Sequence, residues 1–426
     1  CSSDLEVWEA VGAVSHATSL QTTIRFQASP SFGPNLVLGD ALSPLGTGAL
    51  SDSATTPVDV SSKVNSVQIR RGRDRVLDRH EAGSCTIVMT DLDGTFDPDN
   101  GTYAGEILPM RQLQIKGTHD GTTYVLFSGF IEEWDYRYSP GENAATITVT
   151  ATDAFRILNL TDVTAVAGAA SGDLTGVRIG EILDEISWPS SMRSLSNGLT
   201  TCQSDPGTAR DVLTAIQTVV DTELGAFFIT AEGVTKFMDR NDIVKAHGSA
   251  PTVFSDVSGT PDILYQGVDF ALDETILAND VTVTAEGGTA QNVVDSASVT
   301  SFFQRDLSRT GLLMDTDADA LQQATAILAA RKTPELRISS ITLDVTEEND
   351  ARITAALDTD FFDPIKVTRT QPGGGVVTRT LSVQGIAHSI TPISWTTTLS
   401  TAEKVLDGFI LGSATNGVLG TNTFSY

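Results

Sequence analysis

Apolar and polar positions alternate with a period of two through much of this chain, the repeat of a strand with one buried face. In VNSVQIRRG, Val64, Ser66 and Gln68 alternate with Asn65, Val67 and Ile69. SCTIVMT, RQLQIKGTHDGTTYVLFSGFIEEWDYRY and NAATITVTATD follow, separated by turn formers at His119-Asp120-Gly121 and Ser139-Pro140-Gly141. Residues 61–160 therefore read as an antiparallel β-barrel, closed or nearly so. Over residues 161–250 the period lengthens to that of a helix. TGVRIGEILDEISW places Ile179, Ile182, Leu183 and Ile186 on one face, and PGTARDVLTAIQTVVDTELG does the same with Val212, Leu213, Ile216, Val219, Val220 and Leu224. Thr208 with Asp211 resembles a capping pair, and Gly225 is placed to stop that helix. AFFIT and VTKFMDR read as a hairpin across AEG, which makes this segment a small α+β domain.

Residues 251–400 return to strand patterns in ILYQGVDFAL, NDVTVTAEG, LRISSITLDV, PIKVTRT and VVTRTLSVQGIAHSIT. One helix is expected among them, DTDADALQQATAILAARKT, with acids at its N-terminus and Arg331 and Lys332 at its C-terminus to complement the dipole. Gly373-Gly374-Gly375 reads as a hairpin tip. Residues 1–60 are an N-terminal arm or irregular segment in which LEVWEAVGAV and TTIRFQA are candidate short strands. Residues 401–426 read as an extended C-terminal tail. The predicted fold is thus mainly β with an α+β insert: two antiparallel β-barrel domains, 61–160 and 251–400, around a small accessory domain at 161–250.

One phrase occurs twice. SGFIEEWDYRYSPGENAATITVTATD and QGIAHSITPISWTTTLSTAE each run from a glycine-led strand through a break into Thr-rich alternation, and each closes one of the β segments. Gly129 and Gly385 lead the two strands, where glycine serves a bulge, a close backbone approach or simply a strand end. Two similar β modules in one chain point to a ring-building protein rather than an enzyme, since three subunits then present six similar faces.

Charge narrows the function classes. Fifty-four acids against 27 bases give a net charge of −27. A general nucleic-acid binder needs a basic patch, and the strongest basic cluster here is only RRGRDR, with Arg70, Arg71, Arg73 and Arg75. Arg70, Arg71 and Arg73 could touch DNA or an acidic neighbour, and the favoured readings are an intersubunit interface or the charges of a protected edge strand. An acidic surface serves solubility, and in a channel wall it repels nucleic acid and lets it slide. Three scattered cysteines, Cys1, Cys85 and Cys202, form neither a disulfide framework nor a zinc pattern, and Cys85 is expected to be a small buried residue. The sparse cysteines fit folding in a reducing cytoplasm; no apolar run reaches the length of a membrane span, and CSSDLEVWEA lacks the form of a signal peptide.

Catalytic motifs are missing from the chain: no G-x-S-x-G elbow, phosphate loop or H-E-x-x-H occurs. The five histidines are dispersed, with His388 expected to be structural. Glu132-Glu133 and Glu347-Glu348 are neighbours on strands and so point to opposite faces. One cluster, DLDGTFDPDN, carries Asp91, Asp93, Asp97, Asp99 and Asn100, oxygen ligands of a kind that suits calcium. It departs from the helical calcium loop, and an Asx-rich turn between two strands is the favoured reading. No cofactor and no catalytic residue are expected.

Several ordered segments resemble the tail-tip or baseplate hub, a minor tail protein of long-tailed bacteriophages. They are VSSKVNSVQIRRGRDR, AGSCTIVMTDLDGTFDPDN, ILPMRQLQIKG, YVLFSGFIEEW, TARDVLTAIQTVVDTELGAFFITAEGVTKFMDR and LSVQGIAHSITPISWTTTLSTAE, spanning about residue 60 to 426. The resemblance implies tail-tube-like barrels and a homotrimer forming a pseudo-sixfold ring. It implies a distal tail protein or tail tube above, tip or fibre proteins below, and a lumen passed by the tape-measure protein and DNA. It places the chain in the virion at the tail tip, after synthesis in the host cytoplasm. The alternatives are a tail-associated cell-wall hydrolase, for which no appended domain is visible, and a secreted carbohydrate-binding β protein, for which aromatics at 6% are sparse.

Overall fold

Fourteen strands join into one hydrogen-bonded sheet, and they do so as two sets of seven. The computed structural model describes residues 18–32, 56–73, 79–138, 144–257, 262–272, 274, 276–334, 336–346 and 349–403. The first set is β1 (Thr18–Arg25), β2 (Val58–Asp59), β3 (Val64–Gly72), β4 (Glu81–Asp91), β5 (Gln112–His119), β6 (Thr122–Tyr138) and β7 (Ala145–Thr152). The second is β8 (Thr252–Ser255), β9 (Ile263–Leu264), β10 (Gly267–Ala271), β11 (Arg337–Asp344), β12 (Pro364–Thr370), β13 (Val376–Thr391) and β14 (Ser394–Glu403).

The spatial order of the first set is β2-β1-β5-β6-β7-β4-β3, and that of the second is β9-β8-β12-β13-β14-β11-β10. The two orders are the same, each strand of the second set standing seven places after its counterpart. One strand departs. β8 runs parallel to both its neighbours, whereas β1 runs antiparallel to both. The short sequence echo is therefore the visible trace of a duplicated topology. The repeated phrases are the hairpins β6–β7 and β13–β14, and each contains a register shift, between Ile131 and Glu133 in one and between Val383 and Gly385 in the other.

Alternation explains why these segments are strands. β7 buries Ala145, Ile147, Val149 and Ala151 and turns its four threonines outward. β4 buries Gly83, Cys85, Ile87, Met89 and Asp91. Each buried aliphatic side chain contributes about 1.5–3 kcal/mol, so a one-residue slip of register would expose a whole face. The turns follow their residues: Asp120 and Gly121 both take positive φ at the β5–β6 hairpin, as do Gly373 and Gly374 at the β12–β13 tip. The apolar faces of both sets meet in one core, from Ile24 and Phe127 to Phe254 and Trp395.

Between β7 and β8 lies the α+β insert, with α1 (Phe155–Leu160), α2 (Thr175–Glu185), α3 (Val212–Glu223) and α4 (Arg240–Ala246). Asp211 itself caps α3, accepting from the Thr214 backbone N–H at 2.7 Å. The expected Thr208–Asp211 pair is corrected to Asp211–Thr214, because the helix begins at Val212. The left-handed residue at its other end is Leu224, at φ 59°, one place before the expected Gly225. The strand Ala226–Ile229 has two buried faces: Ala226 and Phe228 join the large core, while Phe227 and Ile229 join the core of the insert.

A second insert separates β10 from β11. Strands Asp280–Ala285, Gln291–Val294 and Asp306–Leu312 pack with α5 (Ser296–Phe302) and α6 (Asp317–Arg331) around their own small core. α6 is the helix expected from DTDADALQQATAILAARKT. Among the described residues the single helix expected over 251–400 becomes three, because α5 and α7 (Asp350–Asp358) are too short to show helical periodicity and are announced by their Asx caps, Asp295 and Asn349.

Among the described residues, no helix is long and apolar enough to cross a membrane. The readings of LEVWEAVGAV, of Arg75, of the turn at Ser139-Pro140-Gly141, of Glu347-Glu348, of the tail from residue 404 and of most of the arm before residue 56 fall outside the described residues.

Candidate functional site

The two β sets are joined edge to edge where β3 pairs antiparallel with the C-terminal half of β13, from Gly72 opposite Gly385 to Val67 opposite Ile390. The long β13 permits this. Its N-terminal half pairs with β12 and its C-terminal half with β3, while β14 lines its other side. Gly72 sits at φ +101°, and a Cβ there would lie 2.4 Å from the Gln384 carbonyl oxygen and 2.6 Å from Gly385 Cα. Only glycine takes this conformation without strain and lets the two backbones come this close. A Cβ on Gly385 would stand 2.9 Å from the Arg73 carbonyl oxygen. At Gly129 it would stand 2.6 Å from that of Thr152. Both glycines thus serve close approach, but they are not counterparts. With the two register shifts superposed, Gly385 corresponds to Glu133 and Gly129 to Leu381.

Side chains lock the seam on both faces. On the outer face, Gln68 donates Nε2 to Ser389 Oγ at 2.8 Å. On the inner face, Arg73 donates its backbone N–H to the Gln384 carbonyl at 2.9 Å and its Nε to Gln384 Oε1 at 2.9 Å. The Arg73 guanidinium lies 5.4 Å from the Phe362 ring centre, and that of Arg71 lies 5.0 Å from Phe361. Phe362 holds a left-handed φ of 69°, fixed by its backbone N–H to the Val383 carbonyl at 2.8 Å. His80 packs at 5.2 Å from Phe228 of the insert and 5.5 Å from Phe361. Both β sets and the insert therefore meet at one aromatic and cationic cluster.

Burial sets the electrostatics here. It holds the His80 imidazole well below the ordinary range, with Arg73 adding to the effect. It lowers His388 to about 3, with Arg71 adding to the effect. His388 shares a 3.0 Å hydrogen bond with Thr397 Oγ1 and stands edge-on to Trp395, a structural histidine as its sequence pattern implied. Asp153, which follows β7, is pushed up to about 7 by burial, against the opposing pull of the Gly83 and Phe155 backbone N–H groups and of Arg71.

The three arginines proposed as intersubunit contacts divide. Arg71 and Arg73 are buried within the chain and serve the seam, whereas Arg70 is exposed on the outer face, 3.5 Å from Glu81. The pattern of VNSVQIRRG carried this signal, since Arg71 continues the inward series Val67, Ile69. The partners Gln384, Phe361 and Phe362 were not legible, because they lie about 300 residues away.

In the acidic cluster three carboxylates, those of Asp91, Asp93 and Asp97, accept hydrogen bonds from the protein itself. Asp91, almost fully buried, accepts from Lys63 Nζ at 2.9 Å and from the Phe96 backbone N–H at 2.9 Å. Asp93 accepts from Lys63 Nζ at 2.5 Å and from the Thr95 N–H and hydroxyl. Asp97 accepts from the N–H groups of Asp99 and Asn100 at 2.9 and 2.8 Å. Among the described residues no group of three or more His, Cys, Asp or Glu side chains is placed to hold a metal ion. The geometry is that of an Asx turn closing the β4–β5 connection.

No family model and no curated protein matches the sequence. Solved structures do match in fold. The tail protein from Neisseria meningitidis MC58 aligns with a TM-score of 0.57 at 13% identity, over 91% of this chain and 98% of that one. The 43 kDa tail protein of prophage MuSo2 from Shewanella oneidensis aligns with a TM-score of 0.51 at 14% identity, over 82% of this chain and 96% of that one. The mainly β architecture with an α+β insert is thus a fold shared with these two tail proteins.

Proposed function

We propose that the chain is a non-catalytic structural hub of a phage-type tail, three copies of which form a ring of six similar β units at the tail tip. The observation that carries this reading is the sevenfold strand order repeated twice and joined edge to edge by β3 and β13. A module that pairs with its own duplicate through one edge can pair with the next copy through the corresponding edge. Such a head-to-tail contact closes into a ring when the rotation allows. Six units at equal rotation need three chains of two units, which matches the threefold stoichiometry implied by the hub resemblance.

The ring would sit beneath a tail tube or distal tail protein and carry tip or fibre proteins below. Its net charge of −27 suits a wall along which DNA and a tape-measure protein pass without sticking. The fold shared with two tail proteins supports a tail-associated structural role. Native mass measurement on the full chain, over a concentration series, tests the stoichiometry. A species about three times 45.0 kDa is expected, and a saturating species of two or four copies would overturn it.

A further inference from the structure

Among the described residues, the seam has a counterpart whose second strand is absent. β13 is paired on one side by β14, and on the other by β12 and then β3. Its counterpart β6 is paired by β7 along residues 130–138 and by β5 only along residues 122–130. Among the described residues, no strand pairs with the outer edge of β6 beyond Ile131, where β3 would stand if β6 were β13. β10, the counterpart of β3, pairs with β11 and, among the described residues, with no other strand. The first half of each interface is thus present, on opposite ends of one chain.

We infer that β10 of one copy pairs antiparallel with the C-terminal half of β6 in the next copy, in the register that β3 holds on β13. This inference rests on the ring proposed above and names its contact. Superposing the register shifts equates Tyr136, Arg137 and Tyr138 with His388, Ser389 and Ile390. The ladders β3–β4–β7 and β10–β11–β14 equate Val67 and Gln68 with Val268 and Asp269. Gln68 opposite Ser389 then becomes Asp269 opposite Arg137, and Val67 opposite Ile390 becomes Val268 opposite Tyr138.

The chemistry agrees with the register. The hydrogen-bonded outer pair of the internal seam is replaced by opposite charges, Asp269 and Arg137, both exposed. Opposite charges at directly facing positions favour pairing. The inner pair of aliphatics is replaced by Val268 and Tyr138, and Tyr138 is 57% exposed in the single chain. The register is carried only to Asp269, since β10 shifts register between Asp269 and Phe270. Beside Tyr138 lies an open cavity of about 170 Å³, lined by Phe96, Tyr136 and Tyr138 with Asp91 and Asp97. The buried Tyr136 hydroxyl has no hydrogen-bond partner among the described residues. An added strand would cover this cavity.

Cysteine pairing in the full chain tests the register, in a Cys1→Ser background; Cys85 and Cys202 are buried. Arg137→Cys with Asp269→Cys should, on oxidation, link copies covalently into a closed three-copy species. Asp135→Cys with Asp269→Cys, two residues out of register, should link at least ~10-fold less, since a disulfide tolerates a Cα separation of only about 4.4–6.8 Å. A charge cycle gives a second reading: Arg137→Asp should deplete the three-copy species and Asp269→Arg in the same chain should restore it. A three-copy mass with no link, or with the shifted pair linking equally, overturns the strand pairing and leaves the ring standing. Absence of both the three-copy mass and the link overturns both.

Discussion

Gln68 on β3 and Ser389 on β13 are joined by a 2.8 Å side-chain hydrogen bond across 321 residues of sequence. The bond lies on the line along which the two β units of the chain pair edge to edge. Closing so long a loop carries a large entropic cost, so the seam holds only if its backbone pairing and its buried cluster outweigh that cost together.

Gly72 is the position where the seam is least forgiving. Its positive φ and the 2.4 Å approach of the Gln384 carbonyl leave a methyl group nowhere to go, because the two nearest obstructing atoms are backbone. Gly72→Ala is expected to destabilise the chain by about 2 kcal/mol or more. Urea unfolding of the variant against the parent checks this, and an unchanged midpoint would show that the two strands separate freely.

Arg73 and Gln384 should behave as a coupled pair. Removing either leaves a buried polar group of the other unsatisfied, at about 1–3 kcal/mol. The double variant Arg73→Met with Gln384→Leu is then expected to cost less than the sum of the two single changes. A double-mutant cycle by chemical denaturation reads the coupling, and strict additivity would remove Gln384 as the acceptor that matters.

The buried histidines predict loss of stability in acid. The folded-state values of His80 and His388 lie below the ordinary 6.5, that of His388 at about 3. The unfolded chain therefore binds more protons below pH 6.5. Their contribution is fully present above about pH 6.5 and is lost as pH falls below it, for His388 through about 3, at up to about 1.4 kcal/mol per pH unit for each histidine. Asp153 acts in the opposite sense. Its folded value of about 7 lies above that of a free carboxyl, so its contribution is present in acid and lost as pH rises through about 7. His388→Gln should flatten the acid limb of a Tm-against-pH curve, and Asp153→Asn the limb near neutrality.

Lys63 should matter more than any added cation at the acidic loop. Asp91 is 3% exposed and paired with Lys63, so Lys63→Ala leaves a buried carboxylate without its cation, at about 3 kcal/mol. Millimolar calcium is expected to leave the parent Tm unchanged, because Asp91 and Asp97 already accept from backbone N–H groups. A rise in Tm with calcium would reverse the assignment of this loop.

The sequence displayed the strands and concealed their company. Thr-rich alternation in β7 and β14 and the turn at His119-Asp120-Gly121 are local properties, written in residues two apart. The same locality exposed the duplication through its two closing hairpins. It also misaligned them: matching Gly129 with Gly385 is natural by eye, yet the register shifts equate Gly385 with Glu133. Arg71 and Arg73 were visible as a basic run, but a cation that stacks on Phe361 or bonds Gln384 looks in sequence like one that reaches a neighbour. The helices α5 and α7 escaped because two turns of helix leave no periodic trace.

Electron cryomicroscopy of the full chain assembled at a tail end is the most direct test of the duplicated ring. The expected density is a threefold annulus whose rim divides into six similar arcs, alternately the β1–β7 set and the β8–β14 set, with strand density continuous from β6 of one copy into β10 of the next. An annulus in which only one of the two sets lines the rim, or a single unringed copy, would contradict it.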